Sequence, residues 1–150
     1  MTSPVPPSAG AAGAAPRQLR PVEVKRLNRE WRRVSDARLA LLLDSVGQPF
    51  NVGSIVRTAA AFGAEHIWLC GSTAPLSHPG VGKTALGTQR LVAATTEPSP
   101  VAGAKAAADA VAFIPQPGRV GSLNVAAAAA VAMAEARRRA WAAGDPPPNA

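Results

Sequence analysis

The chain has 150 residues, room for one domain of ordinary size, and its formal net charge of +7, with Lys+Arg 16 against Asp+Glu 9, favours polyanionic partners such as RNA, DNA or an acidic membrane face. A single cysteine, Cys70, excludes an intramolecular disulfide and a Cys-rich zinc site, which suits a reducing cytoplasm and leaves no metal expected. No apolar run reaches the length of a membrane span, and with three Trp, three Phe and no Tyr there are few platforms for stacked bases, so RNA contacts should run through phosphates and loops.

Residues 1–16 are rich in Pro, Ala and Gly and carry no charged side chain; without the basic start and apolar stretch of a signal peptide, they read as a disordered tail. Residues 17–36 form a basic segment, within which Val22 to Val34 reads as an amphipathic helix. Val24, Leu27, Trp31 and Val34 recur at helical spacing, and Lys25, Arg26, Arg29, Arg32 and Arg33 fill the remaining faces. Two readings stay open: a solvated helix packed on the domain, or an RNA-facing surface with Arg26, Arg29 and Arg33 as contacts.

LALLLDSV, Leu39 to Val46, is too short for a buried helix and predicts a central strand of a parallel sheet. GQPFN leads into a helix from about Val52 to Phe62, closed by Gly63, and HIWLCG supplies a second strand. Strand, helix and strand in this space make a βαβ unit. LVAAT predicts a third strand, AVAFIP from Ala110 to Pro115 a fourth, and Ser122 to Trp141 a closing helix with Ser122 as its N-cap. By this alternation the domain is α/β, a mostly parallel sheet flanked by helices, with ligands expected at the carboxyl ends of the strands. The core is thinner than the 47% hydrophobic fraction suggests, because 34 residues are Ala. GDPPPNA, within residues 143–150, reads as a second loose tail.

Two stretches carry candidate chemistry. In NVGSIVRTAAAFG, Asn51 stands where a helix wants a cap, and Gly53 in the first turn suggests close approach of another backbone or a ligand. Arg57 adds a guanidinium to a helix whose amino end offers free N–H groups, a plausible anion site and no more. In FIPQPGRVGSLNVAAAAAVAMAEARRR, a loop with two Pro and two Gly runs into a helix opening Ser-Leu-Asn; it reads either as an ordinary strand-to-helix turn or as a pocket wall. GVGKT at Gly80 to Thr84 lacks P-loop spacing, because only Val81 separates Gly80 from Gly82-Lys83.

NVGSIVRTAAAFG after an apolar strand, and IPQPGRVGSLNVAAAAA before a terminal helix, closely resemble the first and third signature motifs of the SpoU-type RNA 2′-O-ribose methyltransferases of the SPOUT class, and HPGVGKTALGTQ is similar to the family's middle segment. The resemblance covers about Leu39 to Trp141. It implies an α/β domain with a carboxy-terminal trefoil knot, a homodimer sharing its active site between subunits, and methyl transfer from S-adenosylmethionine to the ribose 2′-oxygen of a tRNA or rRNA nucleotide. By motif position it implies that Arg57 meets the target phosphate and assists deprotonation of the ribose hydroxyl, and that Asn51 orders the site. Ser122 and Asn124 would complete the catalytic surface, while Ile114 and Leu123 would contact the cofactor. An arginine stays protonated, so Arg57 suits a phosphate clamp and charge stabiliser better than a literal base.

The resemblance has a gap. Family members carry a Gly-x-Glu-x-x-Gly loop as a second motif, yet LVAATTEPSPVAGAKAAA, residues 91–108, holds no such loop and is too short for the helix and two strands that should accompany it. The SpoU-like domain, residues 37–142, therefore reads as truncated in the middle, with an internal deletion near 91–108 and an incomplete knot. A weakened cofactor pocket follows. The alternative is a catalytically silent RNA-binding or dimerising module that keeps the basic surface.

Overall fold

The computed structural model describes residues 18–34, 38–97 and 108–143. The expected tails and most of the residues around the deletion lie outside these. The elements in chain order are α1 (Pro21–Val34), β1 (Ala40–Asp44), α2 (Pro49–Ala61), β2 (His66–Cys70), α3 (Pro79–Ala85), a 3₁₀ turn (Thr88–Arg90), β3 (Ala93–Glu97) and α4 (Val125–Ala142). The three strands form one parallel sheet in the order β1-β2-β3, with Leu41 opposite Ile67 and Ile67 opposite Ala94.

The α/β reading holds, with four corrections. β1, expected at the centre, is an edge strand of the described sheet, and β2 is central. A run of leucines makes a strand apolar, but its place in the sheet depends on what pairs with either edge. The expected fourth strand, Ala110 to Pro115, forms no strand, and Phe113 is 85% exposed. Apolar β-formers become a strand only when a sheet edge offers them a ladder. The second helix starts at Pro49, not near Val52, so Asn51 lies inside its first turn; Gln48 precedes the helix and makes no side-chain cap bond. Pro at the helix start leaves no donor to satisfy. The closing helix starts at Val125, where Asn124 rather than Ser122 accepts from the Ala126 N–H at 2.8 Å.

The core lies between one face of the sheet and α2. Leu43, Ile67 and Leu69 point from the sheet toward Val52, Ile55, Val56 and Ala59 of α2, with Val81 and Ala85 of α3 and Met133 of α4 closing the cluster. Each fully buried Ile or Val contributes roughly 2 kcal/mol. Gly53 is buried where α2 crosses α3, and a Cβ there would run into the Val81 carbonyl and the Thr84 hydroxyl. The Thr84 hydroxyl donates to the Phe50 carbonyl at 3.0 Å and ties the same crossing. Of the two partners the sequence allowed for Gly53, the structure selects the backbone.

Gly63, at φ +67, ends α2 as expected. Ala64 N–H bonds back to the Ala59 carbonyl at 2.9 Å and Gly63 N–H to the Ala60 carbonyl at 3.3 Å, a closure that needs a left-handed residue. Arg137 of α4, 9% exposed, reaches this end of α2: Nε donates to the Phe62 carbonyl at 2.9 Å and Nη2 to the Gly63 carbonyl at 3.1 Å. A cation thus sits on the negative end of the α2 dipole and pins α4 to α2. Arg137→Met keeps the apolar stem and removes the donors, and should lower stability by about 2 kcal/mol. The midpoint of a urea unfolding curve, at unchanged slope, measures it.

Candidate active site

The carboxyl end of β1 is held by one threonine. The Thr73 hydroxyl donates to the Leu43 carbonyl at 3.0 Å and accepts from the Val46 N–H at 3.1 Å, which sets the path from β1 into α2. That path delivers Asn51 to the first turn of α2. The other participant arrives through 73 residues of chain: Nδ2 of Asn124 donates to Oδ1 of Asn51 at 3.0 Å. Because Oδ1 of Asn124 already accepts from Ala126 N–H, its amide can present only the nitrogen to Asn51. The two stretches singled out in the sequence therefore meet, amide to amide, where α2 and α4 begin.

Beside this contact lies an open cleft of about 1030 Å³. Leu43 and Ile55 form its floor, residues 112–116 and 121–123 one wall, and α4 the other, through Val125, Ala128, Ala129 and Ala132. Ile114, Ser122 and Leu123 all line it. The small side chains of the alanines on α4 leave that stretch of the wall flat. At the far end stand Glu135 and Arg139. Arg138 and Arg139 both donate to the Glu135 carboxylate, at 2.7–2.8 Å, and these bonds hold its pKa down to about 2. Glu135 is therefore ionised at any working pH.

Arg57 is not in the cleft. It lies exposed on α2 and makes no hydrogen bond or ion pair among the described residues. Six residues along a helix turn it by about 240° from Asn51 and carry it about 9 Å along the axis, so the two side chains leave different faces. Arg26 and Arg29 are exposed on α1, where Arg26 approaches Glu30 at 3.7 Å; Arg33 belongs to the last turn of that helix. Cys70 is buried between the carboxyl ends of β1 and β3, and burial first, then Asp44 and Glu97, push its thiol pKa up. It is an inert thiol at neutral pH.

Sequence reasoning missed three contributors: Arg137, Thr73 and the Glu135 cluster. For Arg137 a signal existed. It falls four residues after Met133 on the buried stripe of α4, a place where a cation needs a partner.

With the geometry in place, comparison with known proteins is decisive. Residues 38–105 match the SpoU rRNA Methylase family. An uncharacterized tRNA/rRNA methyltransferase of Synechocystis sp. is 31% identical over 155 positions, covering 73% of this chain and 57% of that protein. The chain belongs to the SpoU family. Its fold agrees. The SpoU methyltransferase AviRb of Streptomyces viridochromogenes superposes with a TM-score of 0.65 at 21% identity, over 81% of this chain and 65% of AviRb. The same protein in complex with AdoMet gives 0.59 at 24%, over 72% of this chain and 60% of that one. An RNA 2′-O ribose methyltransferase gives 0.60 at 22%, over 70% of this chain and 57% of that one.

This SpoU chain spans less than two thirds of each of these relatives. Its alignment to the Synechocystis protein also runs over more positions than the 150-residue chain possesses. At 73% coverage, more than forty of the 155 positions face gaps in this chain. Among the described residues no helix is long and apolar enough to cross a membrane.

Proposed function

We propose that this SpoU chain is an RNA 2′-O-ribose methyltransferase of tRNA or rRNA that uses S-adenosylmethionine, with its hold on the cofactor weakened by the missing second motif. The observation that carries the reading is the Asn51–Asn124 hydrogen bond at 3.0 Å, which joins the first and third motifs beside a cleft lined by Ile114, Ser122 and Leu123. The cleft suits an adenosyl group in size and lining: small-molecule pockets are mostly apolar, with a few polar groups for orientation. Ile114 and Leu123 offer the apolar slot and Ser122 a hydroxyl.

S-adenosylmethionine supplies an electrophilic methyl group on a sulfonium. What remains for the protein is to present a ribose hydroxyl in line with that methyl, let its proton pass to solvent and stabilise the charge that develops on O2′. In this reading Asn51 and Asn124 order the entrance through their shared bond, Ser122 lies beside the reacting atoms, and Arg57 clamps the target phosphate. The exposure of Arg57 outside its own cleft supports a site completed across a homodimer, in which the arginine of one protomer serves the cleft of its partner. The cytoplasm, where tRNA and rRNA are met, is the proposed compartment.

A second reading, a silent RNA-binding module, has specific observations in its favour. Every residue of β3 is exposed, and the cleft wall from Ala112 to Gln116 forms no strand. Both are consequences expected when a segment that should pair with or cover them is gone. Isothermal titration with S-adenosylmethionine separates the two. We expect saturable binding, weaker than a complete SpoU enzyme achieves; a folded protein that gives no heat of binding is the silent module. Both readings share one outcome. RNA affinity should fall steeply between low and moderate salt, because Lys25, Arg26 and Arg29 are exposed on α1 and phosphate neutralisation releases counterions. An affinity that salt leaves unchanged would remove α1 from the interface.

A further inference from the structure

A parallel sheet is ordinarily covered on both faces. Here α2 covers one. On the other, the register aligns Ala40, His66 and Ala93 in one row and Leu42, Trp68 and Thr95 in the next. Leu42 is 43% and Trp68 40% exposed; the His66 ring lies 4.4 Å from that of Trp68, and its Nε2 meets the Thr95 hydroxyl at 2.9 Å. The result is an ordered apolar and aromatic surface open to water.

Helix α1 is its counterpart. Its sequence spacing puts Val24 and Leu27 on one stripe that continues to Trp31 and Val34, opposite its cationic face. Yet α1 packs closely against no other described element, and Val24 is 40% exposed. We infer that α1 is a strap that folds onto the open face of the sheet, shielding Leu42 and Trp68 and turning Lys25, Arg26 and Arg29 outward.

Two features match the two surfaces. The connection from Val34 to Ala40 is of the short kind that joins a helix to an antiparallel neighbouring strand. Counting back from it, Leu27 is about 10 Å up the helix and Leu42 about 7 Å up the strand, so the two meet near the middle of the sheet. The face of α1 used in docking is not its basic face, so RNA binding and docking are compatible.

The test uses the full chain with Trp31→Phe and Trp141→Phe, which leaves Trp68 as the single indole emitter. Trp68 should resist quenching by acrylamide, and Leu27→Asp should raise the quenching constant several-fold and shift emission to the red, at every protein concentration. Trp68 that is freely quenched before Leu27→Asp, or unaffected by it, overturns the proposal. So does shielding that grows with protein concentration, which assigns the face to a second copy, or shielding that arises only with an added RNA oligonucleotide. A second measurement does not depend on fluorescence. In a Cys70→Ser chain, Leu27→Cys with Leu42→Cys should form a disulfide within one monomer on mild oxidation, and failure to do so in a folded chain also overturns the strap.

Discussion

Gly53→Ala is expected to cost about 3 kcal/mol of folding stability, more than an ordinary helix surface position could, because the added methyl meets backbone and a side chain that is itself tied down. It meets the Val81 carbonyl, which belongs to the backbone of α3, and the Thr84 hydroxyl, which is held by the Phe50 carbonyl. To admit it, α2 must move away from α3 and withdraw Val52, Ile55 and Val56 from contacts that leave them fully buried. Helix propensity works the other way, since Ala is about 1 kcal/mol better than Gly inside a helix, so the sign of the result decides between local preference and tertiary contact. Urea unfolding of both proteins measures it, and a stabilised variant would mean that the two helices are not in contact as described.

Arg57→Lys is expected to lower methyl transfer at least about tenfold while changing RNA affinity by far less, since lysine keeps the charge and loses the planar fork that grips a phosphate. Single-turnover methylation with protein in excess over RNA, read beside an RNA binding curve, separates the two effects. A wild-type chain that transfers no methyl group is the silent module, in which Arg57→Lys changes RNA binding only modestly. If Arg57→Ala leaves folding, RNA affinity and methyl transfer alike untouched, the arginine is a solvated helix residue and the clamp reading falls. The exposure of Arg57 fits either a clamp on a phosphate or a solvated position, which is why activity, and not stability, is the quantity to measure.

The candidate site was legible as a place, where residue type or motif marked its lining. Asn51 and Asn124 stood out as amides at helix starts, and they are in contact; Ser122 stood at the expected start of the closing helix, Ile114 and Leu123 were singled out by the family resemblance, and all three line the cleft. Which of these residues caps a helix was not legible. Asn51, Ser122 and Asn124 can all accept from a backbone N–H, and only the path of the chain decides which of them occupies the first non-helical position. The role of Thr73 had no signal at all, because a threonine in a loop shows its two partners only once Leu43 and Val46 are brought to it.

By itself the sequence determined the elements whose cause is local. The apolar run Ala40–Asp44, the end of the helix at Gly63 and the strand His66–Cys70 follow from side-chain periodicity and from the one residue type that tolerates a positive φ, and these are where they were expected, although the helix starts earlier. The motifs likewise determined the family. Tertiary structure decided what depends on a partner far along the chain: that β1 is an edge, that Ala110 to Pro115 finds no ladder, that Gly53 answers to α3 and Arg137 to the end of α2. The physical reason is the same in each case, since a helix turn or a left-handed glycine is satisfied within a few residues, whereas a strand edge, a helix crossing or a buried cation has no stable state until its distant partner is in place.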